Sequence, residues 1–171
     1  MFTVRVVEER DVPVLVAAFP DPTRPVNRHV ERFAWRQSGD VTCLAAWDGE
    51  RPIGYIFARW PGGNGERTPQ ADLLGCVELG DLFVAEDARG GGAGRALMTA
   101  AEQLTAARRY HLVGGEVTVA NPHTDVARGL YERMGYQDAG LGEFISGYTY
   151  WDVAGVAHRD EELHHYIVKR L

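Results

Sequence analysis

Between Ala88 and Leu97 the chain reads ARGGGAGRAL, with glycine at 90, 91, 92 and 94 and a helix-forming stretch directly behind. Glycines at this density let successive backbone N–H groups close on an anion without hindrance from Cβ, and the positive end of the following helix adds to the attraction. A triphosphate loop needs GxxxxGK and then Ser or Thr, the lysine for the terminal phosphates and the hydroxyl for magnesium; Arg95-Ala96 follows Gly94, so that cradle fails. A dinucleotide fingerprint needs a third small residue, and Leu97 stands in its place. The pattern that remains is Arg89-x-x-Gly92-x-Gly94, just after the apolar Leu82-Phe83-Val84. Without a ligand, such a loop need only turn a strand into a helix.

Other chemistry-bearing residues are sparse. Glu78 and Asp81 precede the glycines, and Tyr131 lies beyond them. HRDEELHH, His158 to His165, holds three histidines, but adjacent His164 and His165 would point to opposite faces of a strand; a solvated turn entering the last strand is expected there, with no metal. Cys43 and Cys76 lie outside any CxxC or Cys/His spacing and read as small buried hydrophobes.

The elements that must position these residues follow from periodicity and punctuation. Phe2 to Glu8 alternates as a strand, and Asp11 caps a short helix that has Pro13 in its first turn and stops at Pro20. RHVERFAWRQ has helical spacing, and VTCLAAWDGERPIGYIFARW is a hairpin around Asp48-Gly49. Pro61 to Leu74, headed by PGGNG, reads as a flexible loop, and Gly75 to Asp87 as a strand entering the glycine run. Ala93, Leu97, Ala100, Leu104 and Ala107 form one apolar helical stripe. LVGGEVTVA supplies a strand, and NPHTDVARGLYERMG a helix with Asn121 as N-cap, Pro122 at its first position and Gly135 as its stop. FISGYTYWD and HHYIVKRL close the chain as strands around a polar turn region. The order implies a single domain over 1–171 of mixed α/β architecture: a mixed, mostly antiparallel sheet of six to seven strands flanked by about four helices.

The 171 residues, 45% hydrophobic and 25% charged, have globular composition. A formal charge of -6 argues against a nucleic-acid partner, and all 18 cationic residues but Lys169 are arginine. No charged segment leading into an apolar one opens the chain, and no eighteen apolar residues run together, so a cytoplasmic protein without membrane contact is expected.

The Arg89-x-x-Gly92-x-Gly94 segment resembles the acyl-CoA signature of the GNAT superfamily of N-acetyltransferases. Downstream, Ala127, Leu130, Tyr131, Glu132, Gly135 and Tyr136 fall on that superfamily's asparagine-to-tyrosine helix. The departure is at its head, where Thr124 stands seven residues before the tyrosine and Asn121 three residues earlier. The resemblance implies the GNAT acyl-CoA N-acyltransferase fold, with acetyl-CoA as cofactor. Its diphosphate would lie on the backbone of Arg89, Gly90, Gly91, Gly92, Ala93, Gly94 and Arg95, with Arg95 either pairing to phosphate or solvated, and with Asn121 or Thr124 as a further contact. The main chain of Leu82, Phe83 and Val84 would meet the pantetheine arm, and the Val84 N–H would polarise the acetyl carbonyl.

The resemblance also implies Glu78 as base, directly or through water. Asp81 is its rival, on the opposite strand face unless a bulge intervenes. Tyr131 would give a proton to the departing thiolate. The implied acceptor is a primary amine, taken as a small molecule, between Ala18 to Gln37, Trp60 to Leu74 and Tyr148 to Leu163. Phe19, Trp35, Trp60, Tyr148, Tyr150 and Trp151, beside Asp21, Glu31 and Asp152, either enclose a cationic amine there or are ordinary packing with solvated charges. A protein N-terminus or lysine is the alternative acceptor, and a non-catalytic acyl-CoA sensor the alternative function. A homodimer is compatible with either.

Overall fold

The computed structural model describes residues 1–21, 26–63, 67–119, 124–152 and 154–171. Its elements are β1 (Thr3–Val6), α1 (Val12–Ala18), α2 (Arg28–Gln37), β2 (Val41–Asp48), β3 (Arg51–Arg59), α3 (Pro69–Leu74), β4 (Val77–Val84), α4 (Ala93–Ala107), β5 (Leu112–Thr118), α5 (Thr124–Arg133), β6 (Gln137–Trp151) and β7 (Ala157–Arg170). The strands form one sheet in the order β1-β2-β3-β4-β5-β7-β6. Every neighbouring pair is antiparallel except β4 and β5.

Each face of the sheet carries its own core. On one, Ala93, Leu97, Met98 and Ala101 of α4 pack on Leu44, Ile56, Val77 and Val113, with Leu130 and Tyr131 of α5 alongside. On the other, Leu15 of α1 and Trp35 of α2 cover Cys43, Tyr55 and Phe57, while Ala71 of α3 meets Cys76 and Tyr166. Both cysteines are buried free thiols.

Three expectations change. Pro61 to Leu74 is not loop throughout: the Thr68 side chain accepts from the Ala71 N–H (3.2 Å), Pro69 starts α3, and Gly75 at φ 61° ends it. The structure thus has five α-helices among the described residues, against about four expected. The buried stripe of α4 is Ala93, Leu97, Met98, Ala101 and Thr105, rotated from the expected one. Thr105 tolerates burial because its hydroxyl donates to the Ala101 carbonyl at 2.8 Å. Finally, HRDEELHH lies wholly in β7, where cross-strand pairing from Ala157 onward overrides its polarity.

The central feature is the parting of β4 from β5. They pair only at Val77 with Val113 and Glu78 with Gly114. A Cβ on the next residue, Gly115, would lie 2.6 Å from the Leu79 carbonyl oxygen, so only glycine lets the strands come this close before they diverge. Opposite β3, β4 carries one extra residue between Gly80 and Phe83, a bulge that places Asp81 at φ 53°.

Candidate functional site

Beyond the bulge, Ala85 donates to the Ile53 carbonyl at 2.9 Å, with Val84 opposite Gly54. In the antiparallel alternation Val84 therefore turns its own N–H and carbonyl away from β3, toward the side that β5 has left. Its carbonyl accepts from Arg89 Nε at 3.1 Å. Leu82 is half-buried and Phe83 is exposed, its ring packed against Tyr55 and Phe19.

The chain then crosses Gly90 (φ 79°) and Gly92 (φ 87°), the latter the N-cap of α4. The first helical bond is Ala96 N–H to the Gly92 carbonyl at 3.0 Å, and no side chain caps this end. The N–H groups of Ala93, Gly94 and Arg95 are thus without intrahelical acceptors, at the positive end of a 15-residue helix. Gly90, Gly91 and Gly92 are exposed, as are the side chains of Arg89 and Arg95. Left-handed glycines followed by uncapped amides make a nest that suits a diphosphate.

Between the parted strands lies a narrow slit lined by Leu79, Leu82, Glu116, Tyr131 and Tyr136. Tyr131 comes from α5 and meets Tyr136 edge-on at 5.8 Å. Burial pushes its phenol above the usual range, so it stays protonated at neutral pH. Gly135 at φ 86° ends this helix as expected. Asn121 lies outside the described residues, as does the side chain of Thr124, whose backbone opens α5.

On the α3 side the slit meets a cleft of about 730 Å³, bounded by β4, α3 and the β6–β7 hairpin. Glu78 stands in its wall at 2% exposure. Its Oε1 accepts from Arg59 Nη1 at 3.2 Å, and its Oε2 accepts from both the N–H and the hydroxyl of Thr68 at 2.8 Å. Glu78 therefore fastens the N-terminus of α3 to the sheet. The bulge brings Asp81 to the same cation: Arg59 Nη2 donates to Asp81 Oδ2 at 2.8 Å, and Arg32 lies 3.6 Å from that oxygen. Asp81 thus shares its arginine with Glu78, where unbroken alternation would have separated them.

Among the described residues the aromatic and acidic side chains of the three expected acceptor segments serve ordinary packing and pairing rather than an enclosure. Among the described residues only Phe144 among the aromatics lines the cleft. Trp60 is core, its Nε1 donating to Thr42 at 3.0 Å and its ring beneath Arg108. Trp35 lies beneath Arg32, and Asp21 pairs with Arg28 at 3.1 Å. Tyr150 stacks on His158 and Asp152 caps the hairpin turn, accepting from Ala154 and Val156. Glu31 sits in α2, Trp151 is exposed, and the side chain of Tyr148 lies outside the described residues.

Three cleft residues escaped sequence reasoning. Thr68 carried a signal, since Thr-Pro ahead of an acidic turn is a helix start. Glu116 was a lone charge inside an apolar strand, and Arg59 gave no sign of its partners.

Residues 9–136 match the model of the acetyltransferase (GNAT) family. Among solved structures the chain is similar to the ribosomal-protein-alanine N-acetyltransferase of Brucella melitensis, at 20% identity over 99% of each chain and a TM-score of 0.66. It is similar to an N-acetyltransferase of Staphylococcus aureus Mu50, at 13% identity over 99% of this chain and 98% of that one, with a TM-score of 0.68. Arabidopsis thaliana NAA60 in complex with acetyl-CoA gives 19% identity over 100% and 99%, with a TM-score of 0.66. No curated protein matches the chain.

Proposed function

The chain belongs to the acetyltransferase (GNAT) family, and on that premise we propose that it is a single-domain enzyme using acetyl-CoA to acetylate a primary amine of a small molecule by direct attack in a ternary complex. Acetyl-CoA supplies the activated acetyl group. The carrying observation is the junction of an uncapped glycine N-terminus with the parted strands, because it sets anion-binding amides next to a slit floored by a protonated tyrosine.

In this reading the amides from Gly90 to Arg95 hold the diphosphate, with Arg89 and Arg95 at its rim and Asn121 or Thr124 as a further polar contact. The main chain of Leu82, Phe83 and Val84 lines the pantetheine arm. The Val84 N–H, freed from the β3 ladder, donates to the acetyl oxygen as charge gathers there, an interaction type whose loss costs about 2.7–4 kcal/mol of barrier. Tyr131 delivers a proton to the departing sulfur.

Charge in the cleft favours an ammonium acceptor. Arg59 is paired with Glu78 and Asp81, and Arg67 with Asp72, while the lining carboxylates of Glu116, Asp160 and Glu162 add negative potential. A cleft of about 730 Å³ also lies within the range of small-molecule sites. A second reading, a peptide N-terminus as acceptor, is favoured by a cleft that runs along the hairpin between β6 and β7 with only Phe144 among the described Phe, Tyr and Trp residues lining it. A panel of small amines and short peptides, read by thiol release from acetyl-CoA, tests both. Turnover confined to small amines is expected; turnover confined to peptides selects the second reading, and cofactor binding without turnover on any amine makes the chain an acyl-CoA sensor.

A further inference from the structure

We propose that the outer edge of β6 is the interface between two copies of this chain, paired antiparallel about a two-fold axis through Tyr148. β7 pairs with β5 only from His164 onward, apart from the Val119 N–H, which donates to the Leu163 carbonyl at 2.8 Å. Residues 145–151 and 157–163 therefore form a two-stranded arm, and every residue from Ala157 to Leu163 is exposed. A two-stranded ribbon is marginal in water and needs a third strand for stability. Among the described residues β6 ends the sheet, so its outer edge is the one left open.

Exposed edges are ordinarily protected by charge or proline. Phe144 to Trp151 contains neither, while the inner strand β7 carries Arg159, Asp160, Glu161 and Glu162 in succession. Hydrogen-bond alternation fixes which groups face outward. Asp152 donates its N–H to the Val156 carbonyl at 3.0 Å, so the even-numbered residues of this stretch bond to β7. Ile145, Gly147, Thr149 and Trp151 then turn N–H and carbonyl to the open edge. The two large apolar residues among them are bare, Ile145 at 70% exposure and Trp151 at 55%.

A second copy matches these groups because the edge is self-complementary. With Tyr148 on the axis, Ile145 pairs with the partner's Trp151 and Gly147 with the partner's Thr149, and every outward N–H and carbonyl of these residues is matched. Leu163, opposite Ile145 on β7, continues the apolar row. Phe144 faces the partner's Asp152, so no like charges stand opposite one another along the paired length. Asp160, opposite Tyr148 on β7, is three strand spacings from the partner's Asp160. That is about 14 Å, beyond a screening length of about 8 Å. Each arm thus becomes the third strand of the other. Ile145, Gly147 and Thr149 also line the acceptor cleft, so the pairing fixes that wall in both copies. The interface does not depend on the acetyl-transfer reading.

Sedimentation of the full chain over the micromolar range tests it, with a species of twice the 18.9 kDa chain mass expected. Thr149→Pro removes an outward N–H and sets a ring on the edge, where the strand itself tolerates proline. It should sediment as a monomer, with circular dichroism checking that the sheet is kept; should it fail that check, a cysteine cross-link decides. In Tyr148→Cys the two thiols form a non-hydrogen-bonded pair across the axis, with Cα atoms about 4.5 Å apart. A disulfide spans roughly 4.4–6.8 Å, so oxidised glutathione, taking up the two electrons and two protons, should yield a covalent dimer. Cys43 and Cys76 are buried and do not compete. Ser146→Cys would stand about 14 Å from its own counterpart and should not cross-link.

A wild type that sediments as a monomer throughout, a dimer that survives Thr149→Pro, or a cross-link through Ser146→Cys in place of Tyr148→Cys would each overturn the interface. A monomeric wild type that acetylates an amine would overturn the interface and leave the enzymatic reading intact. A cross-linked dimer that releases no thiol with any amine would do the reverse.

Discussion

Replacing Glu78 by glutamine changes one oxygen into an amide nitrogen, yet it should unfold the protein more easily rather than simply remove a base. The carboxylate is 2% exposed and accepts three hydrogen bonds, one from Arg59 and two from Thr68. A glutamine amide offers one acceptor and one donor end. With its oxygen toward Thr68, its NH2 group confronts the Arg59 guanidinium; flipped, it confronts the Thr68 N–H. Either orientation sets donor against donor in a buried site, and breaking a buried charge pair of this kind costs roughly 3–5 kcal/mol. For a chain of this length that is a fall in Tm of roughly 10 °C. Calorimetric unfolding of wild type and Glu78→Gln side by side measures it. A Tm within about 1 °C of wild type, roughly a few tenths of a kcal/mol, would refute the reasoning. It would show that Glu78 is not fastened as the geometry has it, and would return it to the role of base.

Other perturbations address the cofactor side and the second core. Tyr131→Phe should lower kcat about 100-fold with acetyl-CoA affinity unchanged, a split that equilibrium binding beside turnover will show. Gly92→Ala meets no steric obstacle but must hold φ near 87°, which costs roughly 1–2 kcal/mol; if binding carries that strain, acetyl-CoA affinity falls about tenfold, measurable by calorimetry. His29 is 3% exposed, and burial, with Arg28 next in weight, lowers its pKa to about 4 from an ordinary 6.5. Its native form is neutral while the unfolded chain protonates it below about 6.5, so stability falls as pH drops from 6.5 to 4, by about 3 kcal/mol in all. Urea unfolding across that window should show the slope, and His29→Phe should flatten it.

Much of this architecture can be read from local signals. The hairpin turn at Asp48-Gly49, α2 and the glycine entry to α4 each announce themselves within a few residues, through turn chemistry, capping and helical period. The Asn27 side chain, for example, caps α2 by accepting from the His29 N–H at 2.9 Å. What escaped depends on pairing between distant segments. Arg59 and Glu78 are 19 residues apart and meet only because β3 and β4 pair. Asp81 reaches them only because one residue bulges out of register, and Glu116 is exposed only because its neighbour strand departs. HRDEELHH has turn-like composition but is long enough to complete a ladder with β6, whose hydrogen bonds decide the matter.

The most direct measurement of the central claim is the backbone amide NMR spectrum of the protein titrated with coenzyme A. The account predicts that the largest shifts fall on Gly90 through Arg95, with Val84 and Tyr131 moving in step. Saturation with no response in that glycine run, or with the response centred on another face of the sheet, would contradict it.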